Sequence, residues 1–169
     1  MLPSSLQISI VTHRPDLKLL ERCLRKLALA IAAGQEAGVM RTVHLALIDN
    51  SEDRAVGDGV TRLGKSRFQD TGVHVTYLHG HANIGYGAAH NLVLHGTGSD
   101  YHLVLNPDVE LAPDALANGV RWLDAHPDVG VAAPAVTRGD DGTPAFLCKR
   151  YPAVFDLLLR GFAPSFVQR

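Results

Sequence analysis

Polar side chains and glycines follow four short apolar runs of the chain, at the points where each run ends. The runs are rich in valine, isoleucine, leucine or tyrosine and predict β-strands: Ile8–Val11, Val43–Ile48, Val73–Leu78 and Tyr101–Leu105. The segments that follow them are Thr12–Arg14, Asp49–Ser51, Asn83–Gly87 and Asn106–Asp108. Ligands of open parallel sheets bind at the carboxyl ends of the strands, so we expect these four segments to open onto one crevice.

Asp49 places a carboxylate at the end of the second predicted strand. Such a carboxylate can accept a hydrogen bond from the N3–H group of uracil or thymine. It would repel cytosine, whose N3 atom is itself an acceptor, so it could select a base. The alternative is structural: Asp49 caps the following helix or closes an Asx turn.

Asp108 is the second candidate carboxylate, and it follows the last of the four runs. Mg²⁺ and Mn²⁺ prefer oxygen ligands, and Mg²⁺ is often held by one or two carboxylates together with substrate phosphates. Glu110 would face the same side as Asp108 if the strand continued. The alternative is that Asn106-Pro-Asp108 is an ordinary turn sequence.

The segment Asn83–Asn91 is rich in glycine and leads into a predicted helix, so its backbone amides could approach a ribose or phosphate closely. It is not the dinucleotide fingerprint G-x-G-x-x-G, because His90 stands in place of the third glycine. The first predicted strand is followed by Thr12–Pro15, which contains no glycine. These departures count against a nicotinamide- or flavin-binding protein.

The nine histidines raise the question of a zinc site. His79, His81 and His90 fall close together in sequence, but neither H-E-x-x-H nor a Cys–His ligand spacing occurs. Exposed or hydrogen-bonded histidines are the favoured interpretation. Asp140 and Asp141 could supply a general base, although Asp141-Gly142 is better explained as a hairpin turn.

Helical periodicity separates the predicted strands. The clearest case is an apolar stripe that predicts a helix beginning near Pro15 and ended by Gly34 and Gly38: Leu17, Leu20, Leu24, Leu27 and Ile31. Further helices are predicted at Ala55–Leu63, Gly85–His95 and Pro113–Ala125. Strands that alternate with helices predict an α/β fold, with a Rossmann-like, mostly parallel sheet flanked by helices.

The C-terminal third carries weaker patterns. Val129–Val136 predicts a fifth strand, Arg138–Thr143 a turn, and Ala145–Lys149 a returning strand. Apolar residues between Ala153 and Phe166 need a partner surface. We expect either a continuation of the domain beyond Arg169 or a tail that docks on a second subunit of a homo-oligomer.

Composition limits the class of protein. The 169 residues carry a formal net charge of −1, which gives no strong field for nucleic acid or an acidic membrane surface. Cys23 and Cys148 are too few for a disulfide framework and sit among apolar neighbours, so buried free thiols in a reducing compartment are expected. The sequence contains neither a long apolar run nor a signal-peptide pattern. It predicts a cytoplasmic protein, and an acceptor at the inner face of the membrane is compatible with that location.

As a set, four segments resemble glycosyltransferase family 2, and within it the bacterial rhamnosyltransferase-like members. They occur in the family's order: Ile8–Arg14, Leu47–Ser51, Asn83–Gly87 and Leu103–Val109. The most specific part is Leu-Asn-Pro-Asp-Val together with the upstream Asn-x-Gly. The likeness extends to Lys149–Pro152, similar to a segment that leads to the acceptor half. It implies a GT-A fold that binds a UDP- or dTDP-sugar and transfers the sugar with inversion to an acceptor hydroxyl of a glycan or lipid-linked molecule.

The resemblance also implies roles for individual residues. Thr12 and Arg14 would line the base pocket, and Asp49 would hold the pyrimidine, with Asn50 and Ser51 beside it.

The remaining implied roles concern the third and fourth segments. Asn83, Gly85 and Asn106 would contact the nucleotide, and Asn91 would brace the helix. Asp108 would hold Mg²⁺ or Mn²⁺ in an Asp-x-Asp-like motif reduced here to Asn106-Pro-Asp108.

The family's general base, carried by a Glu/Asp-Asp motif of the acceptor half, has no match in the chain, and we expect it beyond Arg169. We therefore assign residues 1–150 to a nucleotide-sugar-binding domain and 151–169 to the start of an acceptor-side segment or a docking tail. Two alternatives stay open: a non-catalytic nucleotide-sugar-binding module and an unrelated α/β protein such as a receiver-like module.

Overall fold

The computed structural model describes residues 3–95, 98–138 and 143–144. The chain divides into two compact units, Met1–Ala132 and Ala133–Arg169. In the first unit, the described residues form four strands and four helices in strict alternation. The strands are β1 (Ser4–Thr12), β2 (Met40–Asp49), β3 (His74–Leu78) and β4 (Tyr101–Leu105). The helices are α1 (Leu17–Glu36), α2 (Arg54–Phe68), α3 (Tyr86–Leu94) and α4 (Ala115–Ala125).

The four strands form one sheet in the order β3-β2-β1-β4, and all neighbouring pairs are parallel. Strand order reverses at β1, because β2 lies on one side of it and β4 on the other. The register pairs Thr12 of β1 with Asp49 of β2, and Ile10 of β1 with Leu105 of β4. The predicted Rossmann-like α/β fold is therefore confirmed, and the strand exits meet at one edge of the sheet.

The core covers both faces of the sheet. On one face Ile8 and Ile10 pack with the buried stripe of α1, and α1 also contacts α2 and α4. On the other face Val11, Ala46 and Ile48 pack with Ala89 of α3. All nine residues of β1 are buried, as expected for a strand that is covered on both faces.

All four predicted helices are present, and their bounds differ from the predicted ones. α1 begins at Leu17 because the carboxylate of Asp16 accepts hydrogen bonds from the backbone N–H groups of Lys18 and Leu19. Gly34 lies inside α1, whereas Gly38 follows the helix at φ +66°, a conformation that glycine adopts without strain.

The predicted fifth strand at Val129–Val136 is wrong. Those residues are not in a strand, and the side chain of Val131 is 89% exposed. Pro134 explains part of the failure, because proline has no N–H group to donate to a neighbouring strand. An apolar composition alone does not make a segment a strand, because a strand also needs a hydrogen-bonded neighbour.

The second unit contains a short antiparallel pair, β5 (Thr137–Arg138) and β6 (Thr143–Pro144). These strands flank the predicted Asp141-Gly142 turn, which itself lies outside the described residues, as does the Ala145–Lys149 strand. Cys148 and the apolar tail also lie outside the described residues. Within the described part of the chain, no helix has the length and apolar character needed to cross a membrane.

Candidate functional site

The first two strand exits are joined by hydrogen bonds. β1 and β2 end at paired positions, Thr12 and Asp49. The next residue, Asn50, donates its backbone N–H to the carbonyl of Thr12 at 2.8 Å. The backbone N–H of Arg14 donates to Oγ of Ser51 at 2.7 Å. These bonds hold the two exit segments side by side.

The Asp49 carboxylate lies at the centre of this arrangement and is only 2% exposed. Its Oδ1 atom accepts two hydrogen bonds of 2.8 Å, from the hydroxyl groups of Thr12 and Ser51. Its Oδ2 atom is buried and has no hydrogen-bond partner among the described residues. A buried carboxylate oxygen without a donor is costly, so Oδ2 is suited to receive a donor from a ligand.

The structural alternative for Asp49 does not hold. The helix that follows is capped by Asp53, whose carboxylate accepts a hydrogen bond from the backbone N–H of Ala55 at 2.9 Å. The bonds of Asp49 go to side-chain hydroxyl groups instead. Asp49 therefore does not cap α2, although its position before that helix suggested that it would.

Two clefts open at the carboxyl edge of the sheet, where the sequence predicted one crevice. The smaller cleft has a volume of about 300 Å³ and is lined by Asp49, Ser51, Glu52, Asp53, Arg54, Gly57, His79 and Gly80. Its lining contains three carboxylates, of Asp49, Glu52 and Asp53, against one guanidinium group, of Arg54, so negative charge is in excess. A negatively charged group would therefore meet repulsion there, while a neutral group with N–H donors would not.

The larger cleft has a volume of about 610 Å³ and collects most of the other predicted site residues. It is lined by Val11, Thr12, His13, Pro15, Asp16, Leu19, Asn50, Asn83, Gly85, Tyr86, Asn106, Pro107 and Asp108. Asp108 is exposed there, so its oxygens are accessible to a cation.

The Asn83–Gly85 loop is folded by its own polar groups. The Oδ1 atom of Asn83 accepts a hydrogen bond from the backbone N–H of Gly85 at 3.0 Å. Gly85 adopts φ +86°, a region that favours glycine, and its carbonyl accepts a hydrogen bond from Nδ2 of Asn50 at 3.2 Å. Gly85 precedes α3, so the unpaired backbone N–H groups of the first helical turn lie beside the larger cleft.

The fourth exit forms a turn in which the backbone N–H of Val109 donates to the carbonyl of Asn106 at 3.3 Å. The same carbonyl accepts the Sγ–H group of Cys23 at 3.6 Å. Cys23 is a buried free thiol, as predicted. Burial raises its pKa to about 12, with a further contribution from the negative charges of Asp108 and Glu110.

Glu110 does not join Asp108 in the lining of the larger cleft. The strand ends at Leu105, so the alternation that would have put both carboxylates on one side is lost. Oε1 of Glu110 instead accepts a hydrogen bond from Nε of Arg22 on α1 at 2.8 Å and forms an ion pair with Nη2 of the same guanidinium group at 2.5 Å. Asp108 thus stands without a second carboxylate from its own turn.

Arg14 lines neither cleft. Its backbone has a positive φ of 48°, and its guanidinium group pairs with the carboxylate of Glu52 at 3.2 Å. The hydrogen bond of Glu52 with its own backbone N–H and the neighbouring guanidinium group lower the pKa of the Glu52 carboxyl. Asn91 is exposed on α3 and does not line either cleft.

The three histidines considered as zinc ligands have separate surroundings. His79 lines the smaller cleft, His81 makes a 3.0 Å hydrogen bond with Oδ1 of Asn50, and His90 bonds to Ser9 under α3. In the described ranges, no three histidine, cysteine, aspartate or glutamate side chains are grouped in a way that could hold a metal ion. Asp140 and Asp141 lie outside those ranges.

Sequence reasoning gave no nucleotide-binding role to several residues that line these clefts, among them Tyr86 and His79. Tyr86 directly follows Gly85 in the glycine-rich motif, and that adjacency was the available signal. His79 follows β3 and lies against Gly57 of α2. The lack of a side chain at a helical glycine is a weak signal of such a contact, and the sequence does not name its partner.

Comparison with known proteins identifies the chain at the level of family. Residues 10–167, nearly the whole sequence, match the family described as Glycosyl transferase family 2. No curated protein matches the chain. The family match agrees with the parallel sheet and with the placement of polar residues at its carboxyl edge. The chain therefore belongs to glycosyltransferase family 2, and its domain is of the kind that binds a nucleotide-sugar donor.

Proposed function

We propose that this domain binds the uracil or thymine base of a UDP- or dTDP-sugar in the smaller cleft, with Asp49 as the base-reading residue. The supporting observation is the Oδ2 atom of Asp49, which is buried without a hydrogen-bond donor in a carboxylate-rich cleft. The N3–H group of uracil or thymine would supply that donor. A neutral pyrimidine also fits the local charge better than a phosphate does.

The diphosphate would occupy the larger cleft, where Asp108 is exposed and the N-terminus of α3 offers unpaired N–H groups. Asp108 would hold Mg²⁺ or Mn²⁺. A single carboxylate suits a cation that takes its other ligands from the diphosphate and water. When bound, the metal would neutralise negative charge on the leaving diphosphate.

Family membership supports the remaining parts of the proposal. An acceptor hydroxyl of a glycan or lipid-linked molecule would attack the sugar from the face opposite the diphosphate and invert the anomeric configuration. A rhamnosyl donor and a function in polysaccharide or cell-surface glycan synthesis rest on the sequence resemblance. The general base is unassigned among the described residues. The division at residues 150 and 151, the homo-oligomer and the cytoplasmic location stay predictions.

Calorimetry with UDP and dTDP, with and without Mn²⁺, tests the proposal. We expect Asp49→Ala to weaken binding by about 10-fold or more in both conditions, since it removes a hydrogen bond to a charged group. We expect Asp108→Asn to remove the effect of Mn²⁺ only. Glu110→Gln is the matched control, because its carboxylate pairs with Arg22 and lies outside the cleft lining.

Two results would contradict the proposal. The first is that neither nucleotide binds under any of these conditions. The second is that Asp49→Ala and Glu110→Gln leave nucleotide affinity equally unchanged. Tighter binding of ADP or NAD than of UDP would contradict the assignment of a pyrimidine base to the smaller cleft.

A further inference from the structure

Tyr86 connects the glycine-rich loop to the Asn106-Pro-Asp108 turn across the larger cleft. It is the first residue of α3, and its hydroxyl donates a 2.7 Å hydrogen bond to Oδ1 of Asn106. Its ring packs edge-on against His90, with centroids 4.4 Å apart. The ring contact and the hydrogen bond together fix the position of the phenol.

This hydrogen bond determines what the Asn106 side chain can offer to a ligand. Its carbonyl oxygen is occupied by the Tyr86 hydroxyl, and its backbone carbonyl accepts hydrogen bonds from Cys23 and Val109. The Nδ2 group makes no hydrogen bond to a described residue and carries two N–H donors. Asn106 is therefore suited to donate to an anionic oxygen and poorly suited to bind a cation through Oδ1.

The phenol remains protonated at neutral pH, as a donor must. Burial raises the pKa of Tyr86 above its usual value, and the negative charge of Asp108 raises it further. The effect of Asp108 also shows that its carboxylate lies close enough to the phenol to act on it electrostatically.

We propose that Tyr86 is a positioning residue that holds the Asn106 amide so that its N–H groups bind an oxygen of the nucleotide diphosphate. This inference rests on the proposed function, because it concerns the same donor site. Under this proposal, the two polar residues of the Asn106-Pro-Asp108 turn have different functions. Asp108 binds the cation, and Asn106 donates hydrogen bonds to the diphosphate.

A double-mutant cycle with UDP as the probe, in the presence of Mn²⁺, tests the inference. Tyr86→Phe removes one hydroxyl, and we expect it to weaken UDP binding about 3- to 10-fold, as for loss of one hydrogen bond. Asn106→Ala should weaken binding at least as much. The double variant should bind like Asn106→Ala alone, because Tyr86 acts through Asn106.

Two controls separate positioning from a general structural effect. Tyr101→Phe also removes a phenol hydroxyl, one that donates to Asp124 at 2.6 Å away from both clefts, and it should leave UDP affinity unchanged. Uridine lacks the diphosphate, so its affinity should be the same in wild type and Tyr86→Phe. In wild type, the side-chain NH₂ resonances of Asn106 should shift with UDP and not with uridine.

Three results would each overturn the inference. The losses of UDP affinity could be additive in the double variant, or Tyr86→Phe could weaken uridine binding as much as UDP binding. The third result is that the side-chain NH₂ resonances of Asn106 do not shift when UDP is added. In all three cases UDP still binds the wild type, so the proposed function survives. If wild type binds neither UDP nor uridine, the proposed function fails and this inference fails with it.

Discussion

The Thr12 hydroxyl donates a 2.8 Å hydrogen bond to Oδ1 of Asp49, between paired residues at the ends of two adjacent parallel strands. Both residues are almost fully buried. Ser51 donates a second hydrogen bond to the same oxygen. The two hydroxyl groups thus hold one carboxylate oxygen and leave Oδ2 without a partner among the described residues.

Thr12→Val should weaken UDP binding about 3- to 10-fold, because it keeps the shape of residue 12 and removes one of the two donors that orient Asp49. It should also lower the free energy of unfolding by about 1.5 to 3 kcal/mol, the range for a hydrogen bond to a charged group. Calorimetry and urea denaturation measure the two effects. Thr76→Val, at an exposed position of β3, is the control. Equal changes in UDP affinity and in the free energy of unfolding for the two variants would contradict the proposal that Thr12 orients Asp49.

Gly57→Ala should narrow the smaller cleft. A Cβ atom at residue 57 would come within 3.0 Å of Cγ of His79, so the imidazole ring must move. We expect UDP affinity to fall severalfold in calorimetry. Gly59→Ala on the same helix is the matched control, since its Cβ would meet Leu17 at an ordinary 3.5 Å. UDP affinity that is unaffected by Gly57→Ala would show that the base does not use this cleft.

Most of the fold could be predicted because its signals are local. The α1 stripe, buried at Leu20, Leu24, Leu27 and Ile31, needs only helical periodicity. The strand runs were visible as short segments rich in valine, isoleucine, leucine or tyrosine, although β1 is buried along its whole length whereas β3 and β4 are partly exposed. Val129–Val136 has similar composition, but a strand also needs a hydrogen-bonding neighbour, and composition does not report one.

The sequence predicted many of the positions that form the site, but it did not predict that these positions would be divided between two clefts. Asp49 and Asp108 were found because each follows a strand. The separation of Asp49 from the larger cleft depends on how side chains pack between strand ends. The pairing of Glu110 with Arg22 joins residues 88 positions apart, and the hydrogen bond from Tyr86 to Asn106 spans 20. Such contacts follow from tertiary structure and leave no periodic signal.

A buried polar cluster beneath α3 predicts a pH effect on stability. Ser9 Oγ lies 2.7 Å from Nδ1 of His90 and 2.8 Å from Nε2 of His102. Burial lowers the pKa of both histidines, and His102 lowers that of His90 further. The ring of Tyr86 packs on His90 as well.

Because these pKa values lie below the unfolded value of about 6.5, the unfolded chain binds more protons as pH falls through that value. The free energy of unfolding should therefore be highest above that pH and should decrease from pH 7 toward pH 6. Urea denaturation at a series of pH values measures the slope. His90→Gln and His102→Gln should each reduce it, and the double variant should reduce it most. A pH-independent wild type over this interval would contradict the assignment.

A comparison of UDP with CDP tests directly whether Asp49 recognises the base. Wild type should bind UDP at least about 10-fold more tightly, because the N3 atom of cytosine faces the carboxylate with a lone pair instead of a proton. Asp49→Asn offers an amide donor in the same shape, so the preference should fall toward unity. Equal binding of UDP and CDP by wild type, or an undiminished preference for UDP in Asp49→Asn, would contradict recognition of the base by Asp49.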